Sequence, residues 1–299
     1  MKRSFVVAAI ALTFTPAIQA QTESSACALE SVDRDELASW READFANQQT
    51  DAAVVDFASC LGAPDPFLRD RIGYEGLTAA LRSGSISEDT RRYLIATLSQ
   101  NLQISDAGGF LAPFSALALS ELARTDRVEA FLTPDERANL ARNTATYITG
   151  VSDYRAFSDT EGWRHGVAHG ADIAMQLALN EQTDEASLRL LRDSISTQIT
   201  ARSGHAFTHD EPRRLARPIL FMAARGAFEE AEWAAWFASL TNPAPLNNWG
   251  QAYSSETDLA RLHNLKAFAR VLFINASLSE DENFNPIATG AVSMLTTLP

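Results

Sequence analysis

Lysine is nearly missing from this chain: it stands at positions 2 and 266 and nowhere between. Arginine supplies almost all of the 25 basic residues, against 38 acidic ones, for a formal charge of −13, or −15 without Lys2 and Arg3. A balance this acidic argues against nucleic acid, whose binding needs a cationic surface, and against an anionic membrane surface. Several chemical signatures are missing too. There is no glycine-rich phosphate loop, no Cys-x-x-Cys pair and no Gly-x-Ser-x-Gly nucleophile. No stretch shows a convincing strand or hairpin pattern. Cysteine occurs only twice, as Cys27 and Cys60.

Long apolar runs are also missing beyond the first twenty residues, so no later segment is expected to span a membrane. Those twenty read as a secretory signal. Lys2 and Arg3 are its basic start, Phe5 to Phe14 its apolar stretch, and Ala20 the small residue at the cleavage side. The mature protein is then expected to be exported, periplasmic and soluble. In an oxidising compartment two cysteines point to one disulfide, Cys27–Cys60; two unpaired thiols are the alternative.

What the chain has in quantity is helix. Asp65-Pro66 opens one over 67–82, with Asp as cap and Pro in the first turn. Ser87 caps the next. Thr133-Pro134-Asp135-Glu136 starts another. About a dozen helices with short connections follow one another, which predicts an all-α fold of packed helix pairs, either an α-solenoid or a curved HEAT-like α/α layer. The expected organisation is a signal over 1–20, a tail and helix over 21–49, and a single helical domain over 50–299. No strict repeat period emerges.

The most informative stretch is Gly162 to Leu179. At about 100° per residue, His165, His169, Asp172 and Gln176 share one stripe, while nearly everything else from Val167 onward is apolar. A helix apolar almost all round is a buried helix. Its one polar seam must therefore face a metal, a ligand, a water-filled cavity or matching groups on a neighbour. Gly162, Gly166 and Gly170 recur every four residues, a ridge that lets another backbone, or a substrate, come close.

Cys60-Leu61-Gly62-Ala63-Pro64-Asp65-Pro66-Phe67-Leu68-Arg69-Asp70 resembles the opening element of an uncharacterised bacterial family, a domain of unknown function. Gly162 to Asp172 is similar to that family's central Gly-Trp-x-His-x-x-Ala-His-x-x-Asp signature. Asp153 and Arg155 match the turn before it, with Ala156 where glycine is usual. Asp210-Glu211-Pro212-Arg213-Arg214-Leu215-Ala216 resembles its acidic-acidic-x-Arg-Leu element, with Pro212 as a departure. The resemblance runs over roughly residues 50 to 275. It implies an all-helical domain and no particular activity.

Two chemistries fit the seam. His165, His169 and Asp172 could hold one divalent transition metal, with Glu211 as general base of a hydrolase. Alternatively they form a buried hydrogen-bond network. His205 and His209 are four apart on a loop that either folds over the seam or stays in solvent. Arg213 could pair with Asp172 or bind an anionic ligand. Asp153 and Arg155 sit on the loop entering the seam helix, where functional groups often lie. Asp65, Arg69 and Asp70 read as a cap and an intrahelical ion pair. Trp163, Trp233, Trp236 and Trp249 form either an aromatic platform or core packing. The leading reading is recognition of a small molecule, peptide or glycan through a polar cavity lined by Trp163, His165, His169 and Asp172 with Asp153, Arg155 and Arg213. The alternatives are the metal-dependent hydrolase and a structural interaction scaffold.

Overall fold

A computed structural model of the protein describes residues 27–299. The expected signal segment and its cleavage site lie outside the described residues. The α-helices run in order α1 (Arg34–Glu42), α2 (Asp51–Ser59), α3 (Glu75–Arg82), α4 (Glu88–Asn101), α5 (Leu111–Val128) and α6 (Pro134–Gly150). After a short hairpin, β1 (Phe157–Ser158) and β2 (Gly162–Trp163), come α7 (Gly166–Leu179), α8 (Glu185–Ile199), α9 (Glu211–Ala224), α10 (Glu230–Leu240), α11 (Glu256–Ser277) and α12 (Asn285–Thr297). The fold is all-α, as expected. Among the described residues no helix is long and apolar enough to cross a membrane.

The caps explain where helices begin. Ser87 Oγ accepts from the Thr90 amide at the start of α4. Thr133 and Glu136 form a reciprocal capping box at the start of α6, where Pro134 needs no hydrogen-bond partner for its nitrogen. Asp65 Oδ1 accepts from the Phe67 amide at 2.8 Å.

The helices pack in two rows. α5, α7, α9 and α11 lie side by side in sequence order, and α4, α6 and α8 form a second row against them. α7 touches α5, α9, α6 and α8, which is why its surface is apolar almost all round. The ridge of small residues has a partner. A Cβ at Gly166 would sit 3.0 Å from Tyr147 Oη, and one at Gly170 only 2.8 Å from Ile148 Cγ1, so the glycines admit α6.

The first part of that stretch is not helical. Gly162 has φ +76 and closes the hairpin, and α7 begins four residues later, after His165 in the left-handed region. The expected helix over 67–82 also divides. Phe67–Tyr74 is a π-helix, and α3 continues from it. π-turns are rare and frequent at functional sites. Here the π-turn buries Arg69 completely while Asp70, Arg71 and Tyr74 line a cavity. The Arg69 guanidinium donates to the Glu161 carbonyl at 2.7 Å and lies 3.9 Å over the Phe110 ring, tying this segment to the hairpin and to the start of α5.

The expected disulfide is present. Cys27 and Cys60 are bonded, with Cα atoms 4.3 Å apart, joining the beginning of the described chain to the end of α2. Trp233, Trp236 and Trp249 are core residues rather than a platform. The Trp236 indole donates to Ser196 Oγ at 2.7 Å and that of Trp249 to the Thr241 carbonyl at 2.8 Å.

Candidate functional site

The N-terminal ends of α7 and α9 lie together, and each opens on a left-handed residue with a side chain. His165 has φ 59 and Asp210 φ 73. Such conformations cost energy for L-residues and persist where surrounding contacts enforce them. The hairpin does so for His165: the Arg164 amide donates to the Ala156 carbonyl at 2.7 Å, and the His165 amide to the Arg155 carbonyl at 3.3 Å.

His169 is one turn into α7 and buried. Its Nδ1 lies 3.0 Å from the Pro113 carbonyl, an atom that only accepts, so Nδ1 carries the proton and Nε2 keeps a lone pair. Burial, and secondarily the neighbouring His165, push its pKa down to about 3, so the ring is neutral. The His165 and His169 rings are 5.8 Å apart. Burial lowers the His165 pKa as well, against the opposing pull of Glu211. His165 Nε2 is buried and has no hydrogen-bond partner. The nearest carboxylate oxygen, Glu211 Oε1, is 3.7 Å away, beyond hydrogen-bond length. Glu211 is itself buried at the first position of α9, where the helix dipole favours an anion, and its Oε2 accepts from the His209 amide at 2.8 Å.

Asp172, three residues further along the seam, faces Arg214. The guanidinium donates to both carboxylate oxygens, Nε to Oδ1 at 2.9 Å and Nη2 to Oδ2. Burial nevertheless raises the Asp172 carboxyl above its ordinary range, with Arg214 opposing. Between these groups and the π-helix lies a cavity of about 600 Å³. Its lining includes Asp70, Arg71, Tyr74, Trp163, His165, His169, His209, Asp210 and Arg214. Burial raises the Asp70 carboxyl despite its bond to Arg69. Trp163 stacks on the His165 ring at 4.8 Å and stays 40% exposed at the rim.

The seam thus brings Trp163, His165 and His169 to one cavity, with Glu211 beside His165 and His209 from the second histidine pair at its wall. The other expected residues are elsewhere. Arg213 is exposed and pairs with Asp210 at 2.7 Å; the partner of Asp172 is its neighbour Arg214. The reason is helical register, since a step of about 100° turns Arg213 away from α7. Asp153 and Arg155 bind each other at 2.9 Å and pack over Gly109 on a different face. They brace the loop before α5 rather than line this cavity. His205 stacks on Tyr154 at 5.1 Å, away from it.

The expected metal triad is not assembled. Asp172 is held through both oxygens by Arg214, and among the described residues no group of three or more His, Cys, Asp or Glu is arranged to hold a metal ion. Asp70, Arg71, Tyr74 and Arg214 were not legible as site residues. Asp70 looks like an intrahelical ion-pair partner in sequence, and it is one, but its carboxylate also lines the cavity.

The chain belongs to the family described as Protein of unknown function (DUF2785), whose model matches residues 98–274, more than half of its length. That match takes in α5 to α10, most of α11 and the whole of the His165, His169, Asp172, Glu211 and Arg214 cluster; it starts beyond the opening element around Cys60 to Asp70. Neither the curated proteins nor the solved structures yield a match.

Proposed function

We propose that this chain is an exported protein that binds a small polar ligand in the cavity between the π-helix and the N-terminal ends of α7 and α9. The observation that carries this reading is the unpartnered His165 Nε2. A buried polar atom without a partner costs about 1–3 kcal/mol, and folds keep such atoms chiefly where a ligand or water satisfies them. The cavity falls within the roughly 300–1,000 Å³ of typical small-molecule sites. It combines aromatic surface with a few convergent polar groups. Export is supported by the basic-then-apolar start of the chain and by the Cys27–Cys60 disulfide.

The test is a thermal-shift screen of the mature chain with sugars, amino acids, short peptides and nucleotides. A ligand at a hundred times its Kd adds about 2.7 kcal/mol, a rise of several degrees for a chain of this size. The expected result is a shift by at least one compound that His165→Asn removes. A screen without shifts, or a shift unchanged in that variant, overturns the reading.

A further inference from the structure

Trp163 at the cavity rim and Phe157 beside it are aromatic side chains that core packing does not explain. Phe157 is 49% exposed and Trp163 40%, and the hairpin places them opposite each other as a register pair with ring centroids 5.0 Å apart. Trp163 is held from below by the His165 ring and lines the cavity. A large exposed aromatic pair continuous with a polar cavity is a surface built for a ligand with an apolar face.

The polar groups narrow the class further. The charged side chains that line this cavity are already matched, Asp70 by Arg69, Arg71 by Glu75, Asp210 by Arg213 and Arg214 by Asp172, whereas Glu211, set behind His165, has only the His209 amide. An anionic ligand would have to break one of these pairs and leave a poorly solvated charge behind, and a cationic one would have to lose its hydration to reach the buried Glu211. Hydroxyl groups can add to paired charges without breaking them. His169 Nε2 offers an acceptor for a hydroxyl proton. The 3.7 Å between His165 Nε2 and Glu211 Oε1 is too long for a direct bond, and a hydroxyl there can donate to or accept from the imidazole, so either tautomer is served.

We infer that the ligand is a neutral saccharide. A sugar ring lies with its C–H face on the Phe157–Trp163 lip, and its hydroxyls reach His169, His165 and the paired carboxylates. This rests on the ligand-binding reading of the same cavity and specifies its ligand class.

The experiment is titration of the mature chain with neutral mono- to tetrasaccharides of glucose, galactose, mannose and N-acetylglucosamine, followed by calorimetry. Trp163→Ala and Phe157→Ala are compared with the parent chain, both folded by thermal melt. Because both side chains are exposed, neither substitution opens a core cavity, and Trp163→Phe provides a conservative control. The expected result is binding by at least one saccharide, weakened about tenfold or more by Trp163→Ala and less by Phe157→Ala and Trp163→Phe. Saccharide binding that Trp163→Ala leaves unchanged overturns the assignment. So does a panel with no binding. If in that case an amino acid, peptide or nucleotide binds and His165→Asn abolishes it, the saccharide class falls and the cavity reading stands; if nothing binds at all, both fall.

Discussion

The two ends of α7 hold polar clusters of similar burial, and they differ in how their atoms are satisfied. At the C-terminal end, Asp126 accepts from Arg137 Nε at 2.7 Å, from Asn180 Nδ2 at 2.9 Å and from the Phe131 and Leu132 amides at 3.1 and 2.8 Å. Arg137 also donates to the Leu132 carbonyl at 3.0 Å, and Arg225 holds the Ala178, Asn180 and Thr183 carbonyls. The buried side-chain atoms of Asp126, Arg137 and Asn180 all have partners, and the atom without one at this end is the neutral Thr183 hydroxyl. At the N-terminal end, His165 Nε2 has none, Glu211 stands just out of its reach, and a cavity opens beside them. Buried polar groups that close on themselves fix the packing of helices. Those that remain open toward a cavity leave bonds for something else to make.

The largest effect is expected at the closed end. Asp126→Ala strands the Arg137 guanidinium in the core and should cost about 3–5 kcal/mol in denaturant titration. A loss below about 1 kcal/mol would remove the contrast at its stronger side. Asp172→Ala is expected to cost less, about 2–3 kcal/mol. Its partner Arg214 retains 22% side-chain exposure and can turn toward water. If the two substitutions cost the same, Asp172 belongs to a closed network like that of Asp126.

A dependence on pH comes next. The folded chain keeps His169 neutral with its pKa near 3, whereas the unfolded chain protonates it below 6.5. The unfolded state therefore binds more protons between those values. Stability is complete above pH 6.5 and falls as pH drops, by about 2 kcal/mol between pH 7 and 5. His165 acts in the same sense. The raised carboxyls of Asp70 and Asp172 act oppositely, adding stability as pH falls through their folded-state pKa values, which lie above 3.8. His169→Gln should flatten the slope; an unchanged slope would mean that His169 does not titrate this way.

Much of this was written in the sequence, for definite reasons. Helix starts were legible because Asp65, Ser87 and Thr133 are local caps, and the burial of α7 because its surface is apolar on almost every side. The seam histidines were legible by spacing, and the Cys27–Cys60 bond by count and compartment. The hairpin was not, since two-residue strands carry no period. Neither was the π-turn, which keeps a helical pattern of residues while changing where Asp70, Arg71 and Tyr74 point. The choice of Arg214 over Arg213 depends on which face of α9 meets α7, and that is decided by packing between segments distant in sequence. The same holds for the tryptophans: Trp163 and Trp233 look alike in sequence, and only the tertiary fold exposes one and buries the other.

The central claim is that the N-terminal end of α7 is an open site and its C-terminal end a structural network. Equilibrium denaturation of His165→Asn beside the parent chain tests it most directly, because asparagine tolerates the left-handed backbone at this position and removes the unpartnered nitrogen. Here the change in stability should stay within about 1 kcal/mol, since no hydrogen bond of Nε2 is lost. A loss of about 3 kcal/mol or more, matching Asp126→Ala, would show that the imidazole is a satisfied member of a closed network and would contradict the account.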